Sequence, residues 1–247
     1  MTDFPNFAAQ TLDRQIQKAL LQMMRAGAFK DTGKLPPEEE LARELGVSRT
    51  AVRDALAALE VEGFISRRRG IGTVINQPVL AITGRLDLEM EFLDTVAEAG
   101  YQPAIAFARP FVTEATEVVA QRLQIQEGAR IYLVERLILA DATPVIFCRD
   151  HFAYDLIKEF SYCEKDLQEP IFNFIRRYCH QEVVTDLTEV IPAQADERIA
   201  SLLEIKFGDP ILHLDEVGYN QDQCPILWSQ EYYRLGILRF TLLRRKI

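Results

Sequence analysis

Four side chains at the start of one predicted helix are of the types that read the edges of DNA bases. Ser48 is followed by Arg49, Thr50 and Arg53. Arginine can form two parallel hydrogen bonds to guanine, and threonine can offer its hydroxyl to a phosphate or its methyl group to thymine. Arg49 and Arg53 are four residues apart, so a helix presents them on one face. The alternative is that both arginines lie on an ordinary solvated helix face.

A second basic run follows this segment. Arg67, Arg68 and Arg69 precede a glycine-rich stretch that contains Gly70 and Gly72. We expect the run at the tip of a β-hairpin, where it could neutralise phosphates and where glycine lets the backbone approach closely. The alternative is an ordinary charged turn.

The elements that must position these residues are three helices and a hairpin. Helical spacing predicts helices over residues 11–27, 36–45 and 48–63, the last of them capped by Ser48. Two short β-rich runs around Gly70 predict the hairpin. This order of elements predicts a winged helix-turn-helix, which places its third helix in the major groove of DNA. We assign it to residues 1–77, with Asn76–Pro78 as the linker.

The charge of the chain is divided unevenly between its two parts. The chain has 28 Lys+Arg, 37 Asp+Glu and a formal net charge of −9, which at first argues against a nucleic acid partner. Residues 1–77 hold 11 basic and 10 acidic residues, so residues 78–247 carry a net charge of −10. The acidity therefore belongs to the second part and does not exclude DNA binding by the first.

The first part resembles a known family at many consecutive positions. The matching residues are Leu35-Pro36-x-Glu38-x-Glu40-Leu41-Ala42-x-x-Leu45-Gly46-Val47-Ser48-Arg49-Thr50-x-Val52-Arg53-x-Ala55-Leu56, Leu59-x-x-Glu62-Gly63-Phe64-Ile65 and Gly70-x-Gly72-Thr73. This pattern is similar to the N-terminal signature of GntR-type bacterial transcription regulators. The resemblance implies that Arg49, Thr50 and Arg53 lie on the recognition helix and that Gly72 lies in a wing that contacts the minor groove. Glu39 departs from the family, which often has arginine there, so no DNA contact is carried over to Glu39 and its effect on operator choice stays open.

The second part, residues 78–247, alternates helix and strand signals. We predict helices over residues 86–99, 113–123, 171–178 and 193–203. We predict strands over residues 131–140, 144–152, 183–191, 211–219, 226–233 and 238–243. Mixed elements with many hairpins predict an α+β domain on an antiparallel sheet. No internal repeat is recognisable in the sequence.

This part also resembles a known domain, through the positions Arg136-x-x-x-x-Asp141-x-x-Pro144-Val145, Leu202-x-x-x-x-x-Gly208-x-Pro210, Tyr232-Tyr233-Arg234 and Phe240. They are similar to the effector domain of the HutC subfamily, known as UTRA, whose fold resembles chorismate lyase and which binds small molecules. The resemblance implies that Arg136 contacts an anionic group of the effector, which a guanidinium can bond bidentately. Ile138 and Cys148 stand where sugar-phosphate sensors tend to have arginine and glutamate. We therefore expect a less polar effector, such as a small carboxylate, rather than a phosphosugar.

Glu231 and Tyr233 are further candidates for effector contacts, because strand alternation puts them on one face. The alternative for Tyr233, and for Trp228, is ordinary packing. The alternative for Arg136 is a cross-strand salt bridge with a surface acid.

The sequence as a whole predicts a ligand-responsive bacterial transcription regulator, with repression as the expected sign. It would bind double-stranded operator DNA as a homodimer in the cytoplasm. Two other classes remain open: an enzyme that uses the lyase-like domain, and a winged helix used for protein contact. The sequence shows no nucleophile–base pair, no metal-ligand spacing, and no apolar run of the ~18 to 20 residues that a membrane span needs. We therefore expect no catalytic residues, metal, cofactor or membrane association.

Overall fold

The computed structural model describes residues 12–88 and 91–244. The described chain divides into two compact units, with a boundary after Leu88 and with the segment from Thr241 onward in the first unit. The sequence analysis instead places the boundary after Gln77 and assigns the C-terminal end to the second domain.

The first unit consists of helices around one core and a small antiparallel sheet. Its elements are α1 (Leu12–Arg25), β1 (Lys34–Leu35), α2 (Glu38–Leu45), α3 (Arg49–Val61), β2 (Ile65–Arg68), β3 (Gly72–Ile75) and α4 (Gln77–Leu80). The predicted inward stripe of α3, Val52, Leu56 and Leu59, is fully buried. Gly46 ends α2 with a φ of 67°, a left-handed conformation that glycine adopts at little cost. The predicted winged helix-turn-helix is therefore confirmed.

Two features of this unit differ from the expectation. β1 pairs with β3 and makes the hairpin sheet three-stranded, in the order β1-β3-β2. Part of the predicted linker is helical, since α4 begins at Gln77. Beyond α4, the chain still packs on this unit because the buried Arg85 donates a hydrogen bond of 2.7 Å to the carbonyl of Glu62. Arg85 also forms an isolated β-bridge with Thr241, which ties the C-terminal segment to this unit.

The second unit is a six-stranded antiparallel sheet with short helices. Its elements are α5 (Phe92–Glu98), β4 (Pro103–Glu114), α6 (Glu117–Leu123), β5 (Arg130–Ala140), β6 (Thr143–Ala153), a 3₁₀ turn (Tyr154–Leu156), α7 (Ile171–Cys179), β7 (Thr185–Gln194), α8 (Glu197–Leu203), β8 (Pro210–Tyr219) and β9 (Pro225–Arg234). Helices α6 and α8 pack against one face of the sheet, and α7 packs against the other. The predicted α+β class with an antiparallel sheet is confirmed.

Three element predictions in this unit are wrong. The helix predicted over residues 86–99 is helical only over Phe92–Glu98. Thr113 lies in strand β4, which the sequence analysis missed, and Thr116 caps α6 instead. Residues 238–243 form no strand, because Thr241 makes only the isolated bridge to Arg85.

The second unit also contains a structural repeat, which was not recognisable in the sequence. Each half is a strand, a short helix and a hairpin, β4-α6-β5-β6 and then β7-α8-β8-β9. In the sheet order β4-β5-β6-β9-β8-β7, the two halves meet at β6 and β9. This order is the one expected if a two-fold axis between β6 and β9 relates the halves. Thr116 and Asp196 cap the equivalent helices, and Gln124 and Glu204 end them with φ values of 51° and 52°.

Candidate functional sites

The first turns of α3 present the residues predicted to read bases. The side chain of Ser48 accepts a hydrogen bond of 3.2 Å from the backbone N–H of Ala51, as the capping prediction required. The helix therefore starts at Arg49, and its side chain, with those of Thr50 and Arg53, is exposed. The N-terminal end of α3 therefore presents three exposed side chains, those of Arg49, Thr50 and Arg53, that can donate hydrogen bonds.

Arg49 does not lie on a purely solvated face, because two carboxylates of α2 contact it. Its Nε donates to Glu38 Oε2 at 3.0 Å and its Nη1 donates to Glu39 Oε1 at 2.7 Å. The hydrogen bond that Arg49 donates to Glu38 and the negative charge of Glu39 raise the pKa of Arg49. Glu39, the position that departs from the family pattern, thus touches the arginine predicted to read bases.

The basic hairpin is anchored to the same helix. Arg67 and Arg68 lie within β2, opposite Thr73 and Gly72, so only Arg69 lies in the turn. The prediction that the whole run sits at the tip is therefore wrong, because the β2–β3 pairing continues through Arg68. Arg67 donates to the carboxylate of Glu60 on α3 through its backbone N–H and its Nε, both at 2.7 Å.

Gly72 and the neighbouring arginines form the exposed end of this hairpin. Gly72 has a φ of 98°, a conformation that favours glycine, and a Cβ added there would meet nothing within 4 Å. Arg68 and Arg69 are exposed beside it. The hairpin thus offers two exposed cations and a backbone conformation that glycine adopts more readily than other residues.

In the second unit, the predicted effector residues lie on one face of the sheet. Arg136 is opposite Cys148, and Cys148 is opposite Glu231. Ile138 is opposite Ile146, which in turn is opposite Tyr233. Because directly opposed residues of antiparallel strands point to the same face, all five predicted residues share it. All five are also buried in this structure.

Arg136 is held by a buried acid. Its Nη2 donates to Asp150 Oδ2 at 2.8 Å, and its Nη1 donates to the carbonyl of Glu169 at 3.0 Å. The guanidinium carbon lies 5.4 Å from the ring centre of Phe92 on α5. Arg136 therefore makes a cross-strand salt bridge, but its partner is 1% exposed rather than a surface acid. The Nε of Arg136 is buried and has no hydrogen-bond partner among the residues that the structure describes.

Glu231 and Tyr233 contact each other on this face, since the Tyr233 hydroxyl donates to a Glu231 carboxylate oxygen. Trp228 points to the opposite face, where its ring stacks on His151 at 4.6 Å and its indole N–H donates to Asp215 at 2.9 Å. Trp228 thus serves packing, in agreement with the alternative raised for it. Burial raises the pKa of the Cys148 thiol well above its ordinary value, so the thiol stays protonated at neutral pH.

Sequence reasoning missed Asp150 and four further polar residues on or beside this face. Ser229 donates to Asp150 Oδ1 at 2.7 Å, and Glu216 lies opposite Ser229 in the sheet. The hydroxyl of Thr188 donates to Glu216 at 3.0 Å, and burial raises the pKa of Glu216 to about 7. Burial likewise raises the pKa of Glu91 to about 7, against the opposing charge of Arg136. The missed repeat was the available signal, because it makes Arg136 and Glu216 equivalent positions.

Residues 12–88 and 91–244 hold no cluster of three or more His, Cys, Asp or Glu side chains arranged to bind a metal ion. This part of the chain also holds no helix with the length and apolarity that a membrane span needs.

Two family models match the chain. The model described as "Bacterial regulatory proteins, gntR family" matches residues 12–75, and the UTRA domain model matches residues 98–236. The second match alone covers more than half of the chain.

Characterised relatives and solved structures agree with these matches. The transcriptional repressor NagR of Bacillus subtilis is 27% identical over 222 residues, which cover 89% of each chain. The transcriptional regulator GgaR of Escherichia coli is 27% identical over 218 residues, covering 88% of this chain and 85% of GgaR. The structure of YydK, a possible transcriptional regulator of Bacillus subtilis, superposes with a TM-score of 0.74 at 18% identity and covers 96% of this chain and 100% of YydK. NagR and GgaR are transcription regulators and not enzymes, which agrees with the regulator predicted from the sequence.

Proposed function

Because the chain belongs to the GntR family of bacterial transcription regulators and carries a UTRA domain, we propose that it binds operator DNA as a homodimer and responds to a small-molecule effector. The observation that carries this proposal is the capped start of α3, which presents Arg49, Thr50 and Arg53 to solvent. A recognition helix reads bases from such a position in the major groove.

The hairpin supplies the contacts to the DNA backbone in this proposal. Arg68 and Arg69 are exposed and neutralise phosphates, while Gly72 lets the backbone approach the minor groove. Arg67 has a different role, because its bonds to Glu60 fix the hairpin to α3. Ser48 sets the start of α3, and its hydroxyl is engaged by the cap.

The second unit is proposed as the effector-binding and dimerisation domain. Its sheet ends in two long edge strands, β4 and β7, whose unpaired backbone groups can pair with another chain. Each edge also exposes apolar side chains: Phe111 and Val112 on β4, and Leu187 and Val190 on β7. These edges support association with a second copy, and a two-fold dimer would read a palindromic operator.

The effector is proposed to bind the sheet face that carries Arg136, Ile138, Cys148, Glu231 and Tyr233. Ligand sites are mostly apolar surfaces with a few convergent polar groups, which is the composition of this face. The buried Nε of Arg136 supports an acceptor group on the effector, such as a carboxylate. Effector binding would then favour one arrangement of the dimer and change its affinity for DNA. Because the relative NagR is a repressor, we propose repression that the effector relieves.

Selection of binding sites from a random pool of double-stranded DNA tests the proposal. The full chain should enrich a palindromic sequence, and the R49A/R53A variant should enrich none. The K165A/K206A variant is a matched control, because it removes two exposed cations that lie outside the edge strands of the second unit and should select the same palindrome. If the full chain selects no sequence, or if R49A/R53A selects the same one, α3 does not read DNA and a winged helix for protein contact is favoured.

A further inference from the structure

The chain passes between its two units twice, and within the first unit the two connections bond to each other. The chain leaves the first unit after Leu88 and returns to it at Thr241. The backbone N–H of Thr241 donates to the carbonyl of Gly84 at 2.8 Å, and the backbone N–H of Leu86 donates to the carbonyl of Thr241 at 2.9 Å. The two connections therefore form a single joint, which consists of residues 84–88 and 241–243.

Arg85 fastens this joint to the C-terminal end of α3. Its side chain is 3% exposed, and its Nη1 donates at 2.7 Å to the carbonyl of Glu62, the residue at which α3 ends. Its Nε donates to Asp87 Oδ1 at 3.1 Å, and its Nη2 donates to the other oxygen of the same carboxylate. A buried guanidinium with a bidentate carboxylate and a helix carbonyl as partners is held in one orientation. The joint and α3 are therefore fixed to each other.

Apolar contacts hold the same joint on the core of the first unit. Leu88, at the end of the outgoing connection, and Leu243, in the returning one, are partly buried and pack against the core cluster that contains Leu56 and Leu59 of α3. The backbone N–H of Leu243 also donates to Asp87 Oδ1 at 3.4 Å. Both connections therefore end on α3, through its core-facing side chains and through its last carbonyl.

In the second unit, the returning connection starts from the effector face. Phe240 is the last residue of that unit and packs edge-on against Tyr233, with ring centres 4.7 Å apart and ring planes at 71°. The next residue along the chain, Thr241, already belongs to the joint. No spacer residue therefore separates the contact of this connection in the second unit from its contact in the first.

We propose, resting on the operator binding by a dimer argued above, that Arg85 is a positioning residue for DNA recognition. Through the joint, Arg85 sets the distance at which the two copies of the chain present α3 to DNA. A two-fold dimer reads two half-sites at a spacing that its geometry fixes. A stiff joint imposes one spacing, whereas a loosened joint lets each copy of α3 reach half-sites at several spacings.

Fluorescence anisotropy with a set of DNA duplexes tests this proposal on the full chain. The set contains the palindrome obtained by selection and versions whose half-sites are one or two base pairs closer together or farther apart. Each added base pair moves the half-sites apart by about 3.4 Å and rotates one of them about the DNA axis. The chain should bind the selected spacing about tenfold or more tighter than the others, because a wrong spacing prevents both copies from binding at once.

Two variants loosen the joint by different means. R85M removes the hydrogen bonds to Glu62 and Asp87, and T241P removes the backbone N–H that bonds the carbonyl of Gly84. Each variant should reduce the preference for the selected spacing by about fivefold or more. T241V is the matched control, because it changes the side chain but keeps both backbone hydrogen bonds, and it should keep the preference. Circular dichroism shows which variants are folded at the assay temperature.

The ratio of affinities between spacings separates positioning from a merely structural role. A variant that only destabilises the fold weakens binding to every duplex alike and leaves the ratio unchanged, and this result for R85M and T241P would overturn the inference. If R85M does not fold, the ratio measured for T241P decides. A chain that selects a palindrome but prefers no spacing also contradicts the inference and leaves operator binding intact. A chain that selects no sequence contradicts the proposed function itself, before any variant of the joint is tested.

Discussion

Removing one partner of the pair between Arg136 and Asp150 is predicted to lower the free energy of unfolding by more than the intact pair contributes to it. The side chains are 4% and 1% exposed, and Nη2 lies 2.8 Å from Oδ2. Removing one partner leaves a buried charge without compensation, which costs about 3–5 kcal/mol. Asp150→Asn leaves the guanidinium of Arg136 without its carboxylate partner. Arg136→Met leaves a buried carboxylate that keeps hydrogen bonds from the Ser229 hydroxyl and, more weakly, the Cys148 thiol, but has no counter-charge from Arg136.

The double variant distinguishes a buried ion pair from two independent contacts. With neither charge present, R136M/D150N should lose less stability than the sum of the two single variants, with a coupling of about 2 kcal/mol or more. At about 2–4 °C per kcal/mol for a unit of this size, each single variant should lower the unfolding temperature by roughly 6–20 °C.

The assay follows the second unit directly. Trp228 is the single tryptophan of the chain and lies in β9, so its fluorescence during urea unfolding reports on this unit. Arg177→Met is the matched control, because Arg177 pairs with Asp166 at 3.0 Å but is 51% exposed, and its loss should hardly move the midpoint. Additive losses in the double variant, or a loss below about 1 kcal/mol for Asp150→Asn, would refute the reasoning.

Three further predictions concern both units. Replacing Glu39 with Gln should tighten operator binding about twofold to tenfold in a gel-shift titration, because it removes one of the two carboxylates that pair with Arg49 and a charge that repels phosphate. The E44Q control on the same helix should change operator binding little, and weaker binding by E39Q would contradict this prediction. Gly72→Val should weaken operator binding and lower the unfolding temperature, which circular dichroism follows. The reason is that a residue with a side chain at a φ of 98° destabilises the fold by about 1–2 kcal/mol. A variant with unchanged binding and stability would show that the hairpin tolerates another conformation at this position. Burial lowers the pKa of His151 to about 4, below its unfolded value of about 6.5, so the folded state loses stability as the pH falls from about 6.5 to 4. His151→Gln should flatten this loss in urea titrations at both ends of that range, and an equally steep loss in the variant would assign it to other groups.

The sequence predicted the elements that have strong local signals. Gly46 ends α2 and Ser48 caps the N-terminus of α3. Both signals are local in the sequence, so the end of α2 and the start of α3 lie where they were predicted. The hairpins β5–β6 and β8–β9 were also predicted, because each joins two long apolar runs across a short turn. Alternation along β9 correctly put Glu231 and Tyr233 on one face.

The failures share a physical cause, since each depends on contacts between distant residues. Strand β4 contains Pro103 and Pro110 and is an edge strand, so its local pattern is weak and its pairing with β5 decides its structure. The C-terminal segment near Thr241 belongs to the first unit through a bridge to Arg85 that no local pattern indicates.

The effector face shows the same limit. Arg136 was identified through a resemblance, but its partner Asp150 comes from the pairing of β5 with β6. Glu216 became visible only through the two-fold repeat, whose halves keep their caps and turns while most other side chains differ. The sequence could therefore identify Arg136 on this face but neither Asp150 nor Glu216.

The central claim is that α3 and the anchored hairpin bind one specific DNA sequence. The most direct test measures, by fluorescence anisotropy, the affinity of the full chain for the selected palindrome and for a scrambled duplex over a range of salt concentrations. We expect tighter binding to the palindrome than to the scrambled duplex, a logarithm of the affinity that falls linearly with the logarithm of the salt concentration, and a loss of the preference in R49A/R53A. Equal affinity for both duplexes, or a preference that survives in R49A/R53A, would contradict it.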